Sequence, residues 1–217
     1  EGNVLCGVSG GIDSTVTALL IHKAVKKRLK CIFVDNGLLR LSEAKEIESM
    51  FTKNFKVNFT KIDAQKQFLS KLKGVDDPEG KRKIIGEEFV KVFTKFAKSK
   101  GKFAWLAQGT LYPDVIESGV SKGPASVIKT HHNVGGLPKW LDLKVLEPLR
   151  DLYKDEVRKV AKILGVPQSL LVRHPFPGPG LAVRIIGKVT KNKLDITRVA
   201  SKIVEDELRN ADLYDKV

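Results

Sequence analysis

The stretch VLCGVSGGIDSTVTALL, beginning at Val4, constrains this chain more than any other: a continuous apolar run stops at two adjacent glycines and resumes as an amphipathic helix. Val4–Val8 is expected as a buried strand, and Ser14–Lys27 as a helix whose apolar stripe carries Val16, Leu19, Leu20 and Ala24. The alternation then repeats. CIFVDNG predicts a second strand ending in a turn, followed by a helix that Ser42 caps and that runs through Phe51, with Glu43 in its first turn. KVNFTKIDA predicts a third strand, EGKRKIIGEEFVKVFTKFAKS a long amphipathic helix, FAWLAQG a fourth strand and LKVLEPL a fifth; KDEVRKVAKIL predicts a helix closed by Gly165 and Pro167. Apolar strands alternating with helices make the fold class α/β, a parallel twisted sheet of about five strands with helices on both faces. Ligands of such sheets bind beyond the carboxyl ends of the strands. SGGIDS, DNG and QGT each follow a strand directly, so all three are expected at one sheet edge.

Two stretches break the pattern. Between Gly109 and Lys144 the chain is rich in Gly, Pro and Ser and shows no clear periodicity. A loop longer than about 15 residues inside a compact domain is usually a functional lid or disordered, and a lid over about residues 110–144 is the expectation. RHPFPGPGLAVRII, from Arg173, carries too much proline for a regular element and reads as a rigid connector leading to a final helix, Ile196–Leu208.

The formal charge of +14 exceeds what solubility requires and implies an anionic partner, whether nucleotide, nucleic acid or pyrophosphate. Most of the lysines are dispersed along helices, as solvated faces would be. No run approaches the roughly 20 apolar residues of a membrane span, and no signal-peptide pattern precedes the first strand, so a cytoplasmic protein is expected. Cys6 and Cys31 sit inside apolar runs, where reduced, buried thiols are the simpler reading than a disulfide or a catalytic pair.

A strand, a tight glycine turn and a helix together aim backbone N–H groups and the positive helix end at an anion. Gly10 and Gly11 let the backbone approach a phosphate oxygen, and Ser9, Ser14 and Thr15 add hydroxyls. A Walker cradle would read GxxxxGK[ST] and place a lysine on the phosphates; this stretch has Asp13 there instead. An acid beside a triphosphate repels it unless a cation intervenes, so Asp13 is expected to hold Mg²⁺ shared with phosphate oxygens. The alternative is an aspartate that only decorates a helix N-terminus, worth about 0.3–1 kcal/mol.

SGGIDS resembles the pyrophosphate loop of the N-type ATP pyrophosphatases, a superfamily that includes NAD synthetase, argininosuccinate and asparagine synthetases, GMP synthetase and tRNA-modifying enzymes. The resemblance implies an adenine nucleotide alpha-hydrolase-like fold in which the β/γ-pyrophosphate is gripped while a nucleophile attacks the α-phosphate. VDNGLLR at Val34, DPEGKRKIIG at Asp77, QGTLYPDVIES at Gln108, IKTHHN at Ile128 and RHPFPGPGLAVR at Arg173 are similar to GMP synthetase motifs, in that family's order. This likeness implies ATP-dependent amination of xanthosine 5′-monophosphate (XMP) to GMP through an adenylyl-XMP intermediate, with AMP and pyrophosphate released.

By that resemblance Ser9, Gly10, Gly11, Ile12, Asp13, Ser14 and Thr15 bind the ATP phosphates, and the backbone from Val34 to Gly37 flanks the adenine. DNG could equally be a hairpin turn, but a helix pattern follows it. Arg82 corresponds to an arginine that contacts XMP, with Lys81 and Lys83 flanking it; all three oppose the macrodipole at a helix start, which suits a functional role, and surface charge is the alternative, a serious one for the two lysines. Asp114, after the fourth strand with Gln108, Gly109 and Glu117, is a second organiser of Mg²⁺ or substrate, or else a plain polar loop residue. Lys129, His131 and His132 look like the family's closing segment, with Lys129 neutralising the α-phosphate; no further Cys or His lies nearby at zinc-ligand spacing. In that family the HPFPGPG connector borders the nucleotide site, so the resemblance makes Arg173 and His174 candidates to line it. The resemblance further implies that residues 1–184 form the ATP-pyrophosphatase domain and 185–217 the start of a C-terminal region through which the family dimerises. Ammonia comes from a glutaminase domain or subunit; neither a membrane nor nucleic acid is expected as partner. Two alternatives stand beside this reading: a tRNA-modifying adenylase, and an ATP-binding module inactive as a fragment.

Overall fold

Val4, Leu5 and Cys6 are buried in succession, at 2%, 0% and 1% exposure. Side chains alternate across a strand, so three buried in a row require cover on both sheet faces. The structure, a computed structural model, describes residues 2–120 and 143–216.

Strand β1 (Val4–Gly7) leads through Ser9–Gly11 into helix α1 (Ile12–Val25), which a 3₁₀ turn ends before β2 (Leu29–Asp35). Then come α2 (Glu43–Ser49), which continues as a π turn over Met50–Asn54, β3 (Phe59–Asp63), α3 (Gln65–Lys71) and α4 (Pro78–Ser99). The remaining elements are β4 (Trp105–Ala107), α5 (Tyr112–Val120), β5 (Lys144–Leu146), α6 (Lys154–Ile163), α7 (Gln168–Leu171), a 3₁₀ helix at Gly180–Arg184 and α8 (Lys191–Asn210). The five-stranded sheet has the order β3-β2-β1-β4-β5. β1 runs parallel to β2 and β4, and β4 parallel to β5. The bonds Cys31 N–H to Asn58 carbonyl and Ala64 N–H to Asp35 carbonyl advance together along both chains, which makes β3 parallel to β2. The expected α/β parallel sheet is the one observed.

Contacts divide the chain into two units that interleave along the sequence: residues 1–34, 48–62 and 90–173, and residues 35–47, 63–89 and 174–217. In the first, Leu5, Ile32 and Leu106 from three strands pack against Phe93, Phe96 and Ala97 of α4, and α1 packs on α6. The second holds Phe68 of α3 edge-on to Phe89 of α4, with ring centroids 5.0 Å apart.

Local expectations needed correction in three places. Ser42 does not cap α2: its φ is 61°, a left-handed conformation unlike the extended one of an N-cap, and Glu43 turns back to accept the Arg40 N–H at 2.9 Å. The stretch read as aperiodic contains α5, whose first turn is closed by Asp114 accepting the Leu111 N–H at 2.9 Å. Lys81 is not a surface charge; it is fully buried. Among the described residues no helix is long and apolar enough to cross a membrane.

Candidate functional site

Because β2 lies on one side of β1 and β4 on the other, the strand order reverses at β1. The segments after β1 and β4 therefore leave the same sheet edge on either side of a crevice, where parallel sheets bind ligands. After β1 the ladder extends one residue, with the Val8 N–H on the Ile32 carbonyl at 2.8 Å. The chain then turns at Gly10, whose φ of 81° a side chain would strain. Ser9 and Ser14 brace that turn. The Ser9 hydroxyl accepts the Gly11 N–H at 3.2 Å, the Ser14 hydroxyl accepts the Ser9 N–H at 3.1 Å, and Ser14 and Thr15 donate to the Gly11 carbonyl at 3.1 and 2.8 Å. No side chain caps α1. Its first N–H groups, from Ile12 to Ser14, have no intrahelical acceptor and carry the positive end of the helix dipole, an arrangement suited to a phosphate.

From β4 the chain brings Gly109 against α1. A Cβ on Gly109 would sit 3.2 Å from the Asp13 carbonyl carbon, 3.3 Å from Thr17 Oγ1 and 3.4 Å from Asp13 Cβ, so no larger residue fits without moving the aspartate. Gln108 donates its N–H to the Leu146 carbonyl at 3.0 Å, prolonging the β4–β5 ladder. Buried Thr110 donates to Glu147 at 2.5 Å, and Glu147 pairs with Arg150 at 2.5 Å.

A lysine from a distant part of the chain meets the aspartate of SGGIDS. Lys154, the first residue of α6, puts its Nζ 2.7 and 2.5 Å from the two carboxylate oxygens of Asp13, with both side chains part-exposed. Nothing in KDEVR names its partner, although a lysine opening a helix opposes the macrodipole and so carries a signal of its own. Asp13 offers hard carboxylate oxygens of the kind Mg²⁺ takes. Among the described residues no cluster of three or more His, Cys, Asp or Glu could hold a metal by itself. Lys129, His131 and His132 lie outside the described residues, as does most of the stretch expected as a lid.

Other expected positions fall in the second unit. After Asp35 the turn is built from its own side chains, with Asp35 accepting the Gly37 N–H at 3.1 Å and buried Asn36 accepting the Leu38 N–H at 2.9 Å. A helix follows, not an antiparallel strand. Lys81 donates to the carbonyls of Ala182, Ile185 and Gly187 at 3.2, 2.7 and 2.7 Å, and burial pulls its pKa below the ordinary lysine range. Arg82, next along α4, is exposed and pairs with Glu79 at 3.3 Å. His174 stacks flat on Tyr214 at 4.0 Å, with its Nε2 2.6 Å from the Tyr214 carbonyl. Arg173 is half-buried at the end of the first unit. Cys6 and Cys31, paired in register on β1 and β2, are both buried and free; the neighbouring Cys6 and burial push the Cys31 thiol well up, as expected of inert thiols.

Known proteins resemble the chain in two ways. The NAD synthase family matches residues 1–91, the part holding the cradle and the first three strands. Over all 217 residues the chain is 59% identical to a protein named GMP synthase [glutamine-hydrolyzing] from Nitratidesulfovibrio vulgaris, and it covers 42% of that relative. Proteins of the same name from Helicobacter pylori and Acetivibrio thermocellus are also 59% identical, covering 100% and 98% of this chain. The chain thus spans about 42% of the length of the curated relatives it matches. Among solved structures, an NH3-dependent NAD synthetase from Campylobacter jejuni, in complex with a nitrate ion, matches with a TM-score of 0.56 at 14% identity over 96% of this chain and 77% of its own. An NMN synthetase from Francisella tularensis matches with a TM-score of 0.58 at 16% identity, over 93% and 85%. At such identities these two speak for the fold alone.

Proposed function

We propose, from the premise that the chain is similar along its whole length to one stretch of the GMP synthases, that it adenylylates XMP at the expense of ATP so that ammonia can convert it to GMP. The Ser9–Thr15 cradle, with its uncapped helix end and the lysine reaching in from α6, is the observation that carries this reading. The β- and γ-phosphates sit on the N–H groups of Ile12 to Ser14 and the hydroxyls of Ser9 and Ser14. The C2 oxygen of XMP attacks the α-phosphorus, the bond to the bridging oxygen breaks, and pyrophosphate leaves on the cradle. Ammonia then adds at C2 and expels AMP.

Negative charge grows on the departing pyrophosphate, so fixed positive groups there lower the barrier. Lys154 neutralises Asp13 and stands ready to do the same for a phosphate oxygen. Bound Mg²⁺, with Asp13 as its protein ligand, supplies further charge neutralisation on the phosphates. In this reading no Walker lysine is needed: the cradle holds the leaving group, and the nearby cation comes from α6, beside Asp13.

The Val34–Gly37 backbone flanks the adenine in this reading, and Arg82 contacts XMP. Asp114, Arg173 and His174, with Lys129, His131 and His132, remain members of the site by resemblance. Because the relatives are named as glutamine-hydrolysing, ammonia is supplied by a glutaminase domain or subunit. Residues 185–217 open a C-terminal region through which two copies associate, in the cytoplasm. The tRNA-modifying alternative draws no support from the relatives named above, which share one name.

The test is pyrophosphate release from ATP by the full-length protein. Release that depends on XMP, and an AMP yield that depends further on ammonium, is expected. Release stimulated by tRNA and indifferent to XMP would overturn the assignment.

A further inference from the structure

Gly37, Leu38 and Leu39 offer three consecutive carbonyl oxygens, and residues of the C-terminal segment take every one. Arg198 of α8 donates its Nη2 to the Gly37 carbonyl at 2.5 Å and its Nε to the Leu39 carbonyl at 3.1 Å. Between them the Leu181 N–H donates to the Leu38 carbonyl at 2.8 Å. Asp195 holds the remaining arm of the guanidinium, Nη1, at 2.8 Å. The approach is close. Gly180 adopts a φ of 63°, and a Cβ there would lie 2.4 Å from the Leu38 carbonyl oxygen. The next residue along the turn is tied to the same segment, since Arg40 donates to the His174 carbonyl at 3.0 Å and pairs with Glu205 of α8 at 3.3 Å.

A guanidinium is a rigid planar fork, so bonds from two of its nitrogens to carbonyls i and i+2 fix the spacing and direction of both peptide groups. The side chain of Arg198 is only 21% exposed, which strengthens charge-assisted bonds relative to those in water. With Asp35 and Asn36 already satisfying the amide side of the turn, Arg198 supplies what its carbonyl side needs.

We infer that Arg198 is a positioning residue for the nucleotide-base turn: it holds the backbone at Gly37 in the orientation that meets the adenine, while touching neither ATP nor the reacting atoms. The inference rests on the reading that the Val34–Gly37 backbone flanks the adenine. It makes base affinity separable from phosphate affinity, because the cradle for the phosphates belongs to a different part of the chain.

Binding of ATP and of inorganic tripolyphosphate, measured by calorimetry on the full-length protein, tests it. Arg198→Met is expected to weaken ATP about tenfold, the cost of freeing two carbonyls from a charged donor, and to leave tripolyphosphate within about twofold. Arg198→Lys reaches only one carbonyl and should give an intermediate loss, which keeps the test usable if the methionine variant does not fold. Gly37→Val distorts the turn directly, since a Cβ there meets Gln65 at 3.1 Å, and should show the same selective loss. If Gly37→Val weakens ATP while neither Arg198 variant does, the inference about Arg198 is wrong and the adenine turn stands. If none of the three changes ATP binding, the adenine turn itself is wrong. Equal losses for ATP and tripolyphosphate would make Arg198 a merely structural residue and overturn its positioning role.

Discussion

Replacing Lys154 with methionine keeps the length of the side chain and removes its charge, and the structure sets the size of two separate effects. Lys154 lies 2.5 and 2.7 Å from the Asp13 oxygens, with side chains 43% and 31% exposed. At a surface-like dielectric such a pair attracts by about 1–4 kcal/mol, and exposure and salt bring its net worth toward about 1 kcal/mol or less. The melting midpoint should therefore fall by no more than about 4 °C for a chain of this size. Catalysis loses far more. A fixed donor aimed at developing charge is worth about 10²–10³ in turnover, and its removal also leaves Asp13 as a bare anion facing the triphosphate. AMP formation under saturating XMP and ammonium should fall by about that factor, with part of the loss recovered at high Mg²⁺. Turnover within about threefold of the wild type would refute the role given to Lys154. So would a drop in melting midpoint large enough to explain the lost activity by unfolding.

Further outcomes follow from the same geometry. Asp13→Asn should remove the Mg²⁺ dependence of pyrophosphate release and reduce its rate at least about 10²-fold, with an unchanged circular-dichroism spectrum; a rate equal to wild type would exclude the aspartate from the reaction. Gly180→Ala drives a methyl to 2.4 Å from a backbone oxygen at a left-handed φ, and should cost about 3 kcal/mol or more in urea unfolding; a loss below about 1 kcal/mol would contradict the close approach. Lys81→Met strands three carbonyls and should cost about 1–3 kcal/mol at neutral pH. Burial, helped by the nearby Lys193 charge, lowers the Lys81 pKa in the folded state, and the carboxylates of Asp76 and Asp77 offset part of that lowering. The unfolded state thus binds more protons as pH climbs through that lowered pKa toward the ordinary lysine value, so the wild type gains stability over that window. Lys81→Met should lack this gain, as paired unfolding curves from pH 8 to 10.5 would show.

The sheet was legible because its strands are short apolar runs and its helices carry a regular stripe, signals that depend on neighbours a few residues apart. The cradle was legible for the same reason: Ser9 to Thr15 are contiguous, and Gly10, Ser9 and Ser14 act on one another across at most five residues. What escaped was long-range. Lys154 meets Asp13 across 141 residues, and nothing local at KDEVR shows which carboxylate it will find. Lys81 looked like a solvated charge because its neighbours Arg82 and Lys83 are charged, yet helix geometry turns it inward to carbonyls more than 100 residues away. Ser42 carried the right residue type for a cap, and Glu43 overrode it by closing a buried contact with Arg40. The helix α5 was hidden because the low periodicity of the stretch beyond it diluted a nine-residue signal.

The central claim is that the oxygen at C2 of XMP attacks the α-phosphorus of ATP while pyrophosphate leaves on the Ser9–Thr15 cradle. Supplying the full-length protein with XMP labelled with oxygen-18 at C2, together with ATP and ammonium, tests it at the reacting atoms. The account predicts one labelled oxygen in the AMP, none in the pyrophosphate, and unlabelled GMP. Label found in inorganic phosphate with ADP as co-product, or AMP formed without label, would contradict it.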